Sequence, residues 1–531
     1  MAADQHNKID RIEPIRGIIF DRYRDSVAVN LDVPSVCCNP RVVKDKNQLS
    51  NVLKEKLNVE KNVILEKLHK DKAFIWIKRK VTPEEAEKIK ALKIAGVEIV
   101  AESERHYPND SLAAHVIGFV GLDNQGLEGL ELLFNKELTG KPGWRHVIRD
   151  AWQRPVIFNE EQSIPPRNGY YLVLTIDSVI QYIVEQELEC MAKAHNVSSA
   201  SCVVMDPSSG EILAMANYPA YNLNLFSKTP QKVMKNTAVT DVYEPGSVFK
   251  IVAASAILNE GKASLDTRFY CENGSYNVAG RVLHDYHRYG DLSFRDVIAR
   301  SSNIGVVKAS QRIDKKKLCE YIFRFGFGEK TGIDLPGESS GIVRRAEEWS
   351  KSDISTIPIG QGIAVTPLQL VCAVSVIANG GYLMRPYIVD CVISEEEDVY
   401  RQNKRELRRK VLEVKTCEDM KDALQCVMTL GTGKKAYSKL YEACGKTGTA
   451  QMVNPAGGYY SNKYDASFIG FAPKEKPVIS VAIVARNPHP VYFGGSVAGP
   501  VFKKIVERTL QYLELNSAQL TGSSSSSETV S

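Results

Sequence analysis

Two hairpins, set far apart in the chain, constrain the fold more than any other feature. The first runs over residues 200–205, the turn Asp206-Pro207-Ser208-Ser209-Gly210, and residues 211–216. Apolar β-formers on both sides of a Pro/Gly turn are a hairpin signature. The second joins 467–472 to 478–485 through Pro473-Lys474-Glu475-Lys476-Pro477. Between them lie apolar helical patterns, including 249–258 and 367–378, and a helical pattern over 501–513 follows. Strands at both ends of a helical insert predict one antiparallel sheet with helices over its faces, an α+β architecture.

At 531 residues the chain is long enough for about two to four domains. Residues 1–165 are charge-rich and read as an α+β module. A helical pattern covers 47–68 and a strand-like run 74–77, and Thr82-Pro83-Glu84-Glu85 reads as an N-cap, a proline at the first helical position and a capping-box glutamate. Turn residues Ile164-Pro165-Pro166-Arg167-Asn168-Gly169 mark a boundary. Residues 170–515 form the second unit. In it Asp177 caps a helix over 178–192, and Thr366-Pro367 starts another. The tail 516–531, with five consecutive serines, reads as disordered.

Hydrophobic residues at 44% and charged residues at 25% are globular composition. A net charge of +5 is too mild for a nucleic-acid binder without a concentrated patch. No run approaches the ~18 apolar residues of a membrane span, and the polar start, MAADQHNKIDRIEPI, is no secretory signal. Eleven cysteines with no C-x-x-C pair argue against a zinc ribbon or a thioredoxin-type site. His284 and His287 read as loop surface, and the basic cluster 404–410 as a solvated face.

The chemistry lies in three short motifs. Ser247-Val248-Phe249-Lys250 is the one S-x-x-K in the chain. Residues three apart on a helix have Cβ atoms about 5–6 Å apart, so the lysine amine can reach the serine hydroxyl. A buried lysine near another cation can lose its proton near neutrality and act as a base. Pro245-Gly246 predicts a helix starting at or just before Ser247, placing the serine at the positive end of the dipole. Ser301-Ser302-Asn303 supplies a second hydroxyl and an amide; Ser275-Tyr276-Asn277 matches the same pattern but reads as a turn. Lys446-Thr447-Gly448-Thr449 has groups suited to a carboxylate. Strand alternation puts Lys446 and Gly448 on one face, Thr447 and Thr449 on the other, and Gly448 lets another segment approach the backbone. Lys330-Thr331-Gly332 is a decoy in a structured loop. Singly these motifs are cheap: about two S-x-x-K matches are expected by chance in this length. Their order is the informative feature, and it is the motif set of serine β-lactamases and penicillin-binding proteins.

With its flanks the chain resembles a class B penicillin-binding protein, a monofunctional peptidoglycan D,D-transpeptidase. The resemblance covers about residues 14–513. It rests on Tyr243-Glu244-Pro245-Gly246-Ser247-Val248-Phe249-Lys250, residues 325–338, Ile359-Gly360-Gln361-Gly362-Ile363, and residues 445–451. In the N-terminal part it rests on Arg16-Gly17-Ile18-Ile19, Arg105-His106-Tyr107-Pro108, His115 with Gly118 and Gly121, and Gly126-Leu127-Glu128. The Glu-Pro-Gly-Ser-Val-Phe-Lys segment and Asn303 resemble the septal division branch and its sporulation relatives.

The resemblance implies a dimerisation-type pedestal before a transpeptidase domain of the serine β-lactamase-like fold. It implies Ser247 as nucleophile, Lys250 as base and Ser301 as proton relay. Asn303 would orient Lys250 and the substrate amide; Lys446, Thr447, Gly448 and Thr449 would bind the terminal carboxylate, and the backbone N–H groups of Ser247 and Thr449 would form the oxyanion hole. The implied ligands are peptidoglycan stem peptides and β-lactam antibiotics, with no metal or organic cofactor. The implied partners are division-complex proteins and a glycosyltransferase. A carboxypeptidase side activity would differ only in using water as acceptor. The family's usual N-terminal membrane anchor, just upstream of the Arg-Gly-x-Ile segment, is not in this sequence; with it, the protein would work on the extracytoplasmic face of a bacterial membrane. Asn236-Thr237-Ala238 replaces the family's usual Asn-Arg-Ala. A serine β-lactamase shares the chemistry but normally lacks such an N-terminal module, and a β-lactam sensor or an inert division scaffold would be non-enzymatic alternatives.

Overall fold

Both hairpins enter one sheet. The computed structural model describes residues 7–149 and 155–525. Its five-stranded antiparallel sheet has the order Ile212–Tyr218, Ser199–Met205, Ile479–Arg486, Tyr459–Ala472, Cys444–Val453. The two hairpins meet where Val204 pairs with Val481 and Cys202 with Ile483. Side chains on a strand alternate between faces, and here both faces are buried. Cys202, Val204, Val481 and Ile483 pack with Ile180, Val184 and Leu188 of helix Ser178–Ala194 and with Phe502, Ile505 and Val506 of the closing helix. Val203, Met205, Ala482 and Val484 pack on the other face, against Leu370 and Val374 of helix Pro367–Ala378 and Ile251 and Ala254 of helix Lys250–Asn259.

The caps predicted from sequence are present. Asp177 accepts from the N–H groups of Val179 and Ile180, and Thr82 with Glu85 and Thr366 with Gln369 form capping boxes. Three local expectations need correction. The helical pattern over 47–68 is two helices, Lys46–Leu57 and Lys61–Leu68, because Asn58 adopts the left-handed conformation at φ 51° and ends the first. Ser275-Tyr276-Asn277 is a strand, Ser275–Val278, paired with Arg281–His284; the turn falls later, at Ala279 and Gly280. The expected disorder from 516 does not hold to 525, since the closing helix runs Gly499–Ser525. Its first half is anchored on the sheet, and extending a nucleated helix is far easier than starting one. Residues 526–531 lie outside the described residues.

In the N-terminal region the long strand Ser26–Cys38 pairs with Val97–His106 and Ile75–Lys78, and helices pack on it through Leu53, Leu57, Ile64 and Leu68. The same strand belongs to a sheet that crosses the turn-rich segment at 164–169. Tyr171–Leu174 pairs with Ile19–Phe20 on one side and Val389–Ile393 on the other. Gly17 is needed there because a Cβ would stand 1.8 Å from the Tyr170 carbonyl oxygen.

Residues from three N-terminal segments converge on one buried ion cluster. Arg16 Nε donates to Glu131 Oε2 at 2.7 Å and Arg105 Nε to Glu131 Oε1 at 2.6 Å. Arg16 also reaches the Asn124 carbonyl, Asn135 and Thr139. All three charged side chains are buried.

Candidate active site

Ser247 lies on a 3-10 turn, Gly246–Phe249, that leads into helix Lys250–Asn259. The first turn is thus tighter than the α-helix expected there. A 3-10 turn eclipses residues i and i+3, so Ser247 and Lys250 still share one edge. The turn rests on the backbone of the Ile359-Gly360-Gln361-Gly362 segment: Gly246 N donates to Gly360 O at 3.0 Å, and a Cβ on Gly360 would meet Gly246 O at 2.1 Å. Glu244 ties in two neighbours, accepting from Gly362 N at 2.8 Å and Tyr459 OH at 2.9 Å.

The Lys250 side chain is 0% exposed. Its amine donates to the Ser301 carbonyl at 2.5 Å and Asn303 Oδ1 at 2.7 Å, and lies 3.2 Å from Ser301 Oγ. Lys446, also 0% exposed, donates to Ser301 Oγ at 2.8 Å. One hydroxyl therefore bridges two buried amines. Burial pulls the Lys250 pKa down to about 7, with Asp285 opposing the shift. Burial, and then the charge of Lys250, holds Lys446 well below its ordinary value. The direct Ser247–Lys250 hydrogen bond that the spacing allows is not found among the described residues, because Ser301 and Asn303 hold the amine.

Ser301 has φ 59°, the left-handed region that costs a non-glycine residue about 1–2 kcal/mol. That backbone turn presents both its carbonyl and its hydroxyl to Lys250. Ser302 caps helix Asn303–Ser310, its hydroxyl accepting from Gly305 N at 2.9 Å.

Lys446, Thr447, Gly448 and Thr449 lie on the edge strand Cys444–Val453, and their faces alternate as expected. Lys446 faces Ser301. Thr447 Oγ1 is 2.6 Å from Thr432 Oγ1, and Thr449 Oγ1 accepts from Gly494 N at 3.0 Å. A Cβ on Gly448 would meet Ser467 Oγ at 2.3 Å, Val248 Cγ1 at 2.9 Å and Pro245 O at 3.0 Å. The missing side chain is what lets the Ser247 turn lie against this strand. All eight residues singled out from sequence thus belong to one assembly of turn, helix entrance and edge strand.

The decoys lie elsewhere. Thr331 of Lys330-Thr331-Gly332 is held by Glu338 through its N–H and hydroxyl. The basic cluster is partly paired rather than simply solvated: Arg408 and Arg409 meet Glu329, and Lys410 meets Glu413. His284 and His287 are exposed, as read, but His284 ends strand Arg281–His284 rather than lying in a loop.

Sequence reading missed Asp285, Thr432, Gly494 and Glu244. Asp285 contacts the 301–303 segment through tertiary folding alone, so no periodicity marks it. Thr432 had a signal, the Gly431-Thr432-Gly433 break before the strand. A Cβ on Gly431 would stand 2.0 Å from the Ala299 carbonyl oxygen, which packs this break against the helix preceding Ser301.

An arrangement of this kind can move a proton. A neutral Lys250 can accept one, and the Ser301 hydroxyl, bonded to both buried amines, can pass it on.

The comparisons with known proteins cover the whole of this assembly. The penicillin binding protein transpeptidase domain matches residues 200–507, and the penicillin-binding protein dimerisation domain residues 11–174. Stage V sporulation protein D of Bacillus subtilis is 36% identical over 97% of this chain and 80% of its own length. Peptidoglycan D,D-transpeptidase FtsI of Escherichia coli is 33% identical over 97% of this chain and 86% of its own. The crystal structure of penicillin binding protein 3 from Mycobacterium tuberculosis, complexed with aztreonam, superposes with a TM-score of 0.76 at 28% identity, covering 95% of this chain and 97% of that one. The chain belongs to the penicillin-binding protein transpeptidase family.

Proposed function

We propose that the protein is a serine-type peptidoglycan D,D-transpeptidase that also binds β-lactams covalently. Ser247 Oγ attacks the carbonyl of the penultimate D-alanine of a stem peptide while its proton passes to neutral Lys250. The C–N bond to the last D-alanine breaks, and the proton returns through Ser301 to the leaving amine. An acyl-serine remains. The amine of a second stem peptide then attacks the acyl carbonyl and loses a proton to the same lysine; the ester C–O bond breaks, Ser247 Oγ takes that proton back, and the cross-linked peptide leaves. Water in place of that amine would give carboxypeptidase turnover. Lys446, Thr447 and Thr449 bind the donor's terminal carboxylate, and Gly448 keeps the strand open to it. The N–H groups of Ser247 and Thr449 bind the developing oxyanion.

The observation that carries this reading is the Lys250 amine, fully buried, near neutral pKa, and held one turn from Ser247 by Ser301 and Asn303. In that setting a lysine is a base rather than a surface charge. The names of the relatives support the substrate class, and the aztreonam complex of the structural neighbour supports β-lactam binding. We also place the protein in septal cell-wall synthesis, with division-complex proteins and a glycosyltransferase as partners, on the extracytoplasmic face of a bacterial membrane. Among the described residues no helix is long and apolar enough to cross a membrane.

The test is labelling with a fluorescent penicillin, with peptide-mass mapping and Ser247→Ala in parallel. A long-lived adduct on Ser247, absent from the variant, is expected. Rapid release would instead make the protein a β-lactamase, and no adduct from folded protein would overturn the assignment.

A further inference from the structure

The Ser301–Asn303 turn is held from outside its own helix by a single carboxylate. Asp285 follows strand Arg281–His284 directly. Its Oδ1 accepts from Asn303 N at 2.5 Å and from Ile304 N at 3.1 Å, and its Oδ2 accepts from the Ser302 hydroxyl at 2.6 Å. A helix leaves its first N–H groups without intrahelical partners. Ser302 satisfies one of them, at Gly305, and Asp285 takes two more. The preceding residue completes the clamp: the His284 carbonyl accepts from Asn303 Nδ2 at 2.8 Å, which leaves Oδ1 of the same amide facing Lys250. The backbone and the side chain of Asn303 are thus both set by His284-Asp285.

We propose that Asp285 is a positioning residue for acyl transfer: its three hydrogen bonds hold the Ser301–Asn303 turn so that Lys250 stays in register with Ser247. This rests on the function proposed above and adds a residue to it. The Asp285 carboxylate bonds Ser302, Asn303 and Ile304 and, among the described residues, makes no hydrogen bond to Ser247, so it acts through the turn.

Its charge works in the opposite sense from its geometry. The charged groups facing Lys250 are Lys446, from the edge strand through Ser301, and Asp285, from this loop. Burial favours loss of the Lys250 proton and Asp285 favours keeping it, while the charge of Lys250 lowers the Lys446 pKa. The charge of Asp285 acts on Lys250, Cys271 and Tyr289, with Lys308 and Arg300 also acting on the latter two and His284 adjacent in the chain. Cys271 Sγ lies 3.4 Å from Ser302 Oγ, on the same turn. Asp285 therefore aligns the base while making it harder to deprotonate, and two substitutions separate the effects. Asp285→Asn keeps an Oδ1 for the Asn303 and Ile304 N–H groups and removes the charge. Asp285→Ala removes both.

The experiment is the second-order rate of Ser247 acylation by a fluorescent penicillin, followed from pH 5.5 to 9 in wild type, Asp285→Asn and Asp285→Ala, with thermal unfolding of each. A loss of about 100-fold in Asp285→Ala is expected, as for a misplaced catalytic group. Asp285→Asn is expected within about tenfold of wild type at pH 8.5, with its acid-limb midpoint moved to lower pH. If Asp285→Ala does not fold, the Asn variant decides alone through its midpoint. An Ala variant that acylates at the wild-type rate, or an Asn variant with an unmoved midpoint, overturns the proposal. Wild-type protein that forms no adduct on Ser247 would fail at the function itself, a different result from either of these.

Discussion

Buried charge in two regions of this molecule is built on opposite rules. In the N-terminal region Glu131 lies between Arg16 and Arg105, each bonded to one carboxylate oxygen, with further partners in Asn124, Asn135 and Thr139. In the candidate site Lys250 and Lys446 are equally buried but bond only to neutral oxygens, of Ser301, Asn303 and Thr447. An ion pair out of water keeps its charges because each sustains the other. Two amines out of water, sharing one hydroxyl, do not both keep theirs. The first cluster ties segments together; in the proposed mechanism the second holds a base ready. Arg16, Arg105, Glu131, Lys250 and Lys446 are all charged-type side chains and all buried, and only the partner set separates structure from chemistry.

The sharpest break of this comparison is Lys250→Met. Acylation by a β-lactam should fall by about 10²–10⁴-fold, the range for loss of a general base, while thermal unfolding shows no loss of stability. Labelling at the wild-type rate would end the assignment of Lys250 as base. Glu131→Gln should do the reverse. Removing one partner from a buried ion cluster costs about 3–5 kcal/mol, read by urea unfolding, while the protein that remains folded acylates normally.

The pH dependence is a smaller effect. With Lys250 held at about 7, the neutral form is lost as pH falls through that value. Acylation should drop about fivefold from pH 7 to pH 6, about 16-fold from pH 7 to pH 5.5, and level off above pH 8. Stability should move the same way. Between about pH 7 and the ordinary lysine range the unfolded chain binds a proton that folded Lys250 does not, so unfolding free energy rises with pH there. Lys250→Met should flatten that rise. The smallest effect is that of Thr432→Val, which removes the partner of Thr447 Oγ1. The loss should be about 0.5–1.5 kcal/mol, seen as a several-fold slower acylation with little change in unfolding.

Much of the sheet was legible before any coordinates. The apolar β-formers at 200–205 and 478–485, the Pro-rich turn between the C-terminal strands, and the caps at Thr82, Asp177 and Thr366 are local signals, and each reappears as read. Misreadings fell where one residue's backbone overrides a pattern. Asn58 breaks a helix that amphipathic spacing carries through, and Ser275 starts a strand in a stretch rich in turn residues.

The candidate site divides along the same line. The amino-acid sequence by itself determined which groups are present, Ser247, Lys250, Ser301, Asn303 and the Lys446–Thr449 strand, and that Gly448 leaves room for a second segment. Only the tertiary structure decided what state those groups are in. The Lys250 pKa depends on full burial and on Asp285 arriving from a separate loop, and that of Lys446, on the edge strand, on burial and on the charge of Lys250. Ser301 adopts φ 59° because the surrounding contacts hold it there. Periodicity and spacing report neighbours a few residues apart. Desolvation and Coulomb fields depend on distance in space, and that exists only once the chain has folded.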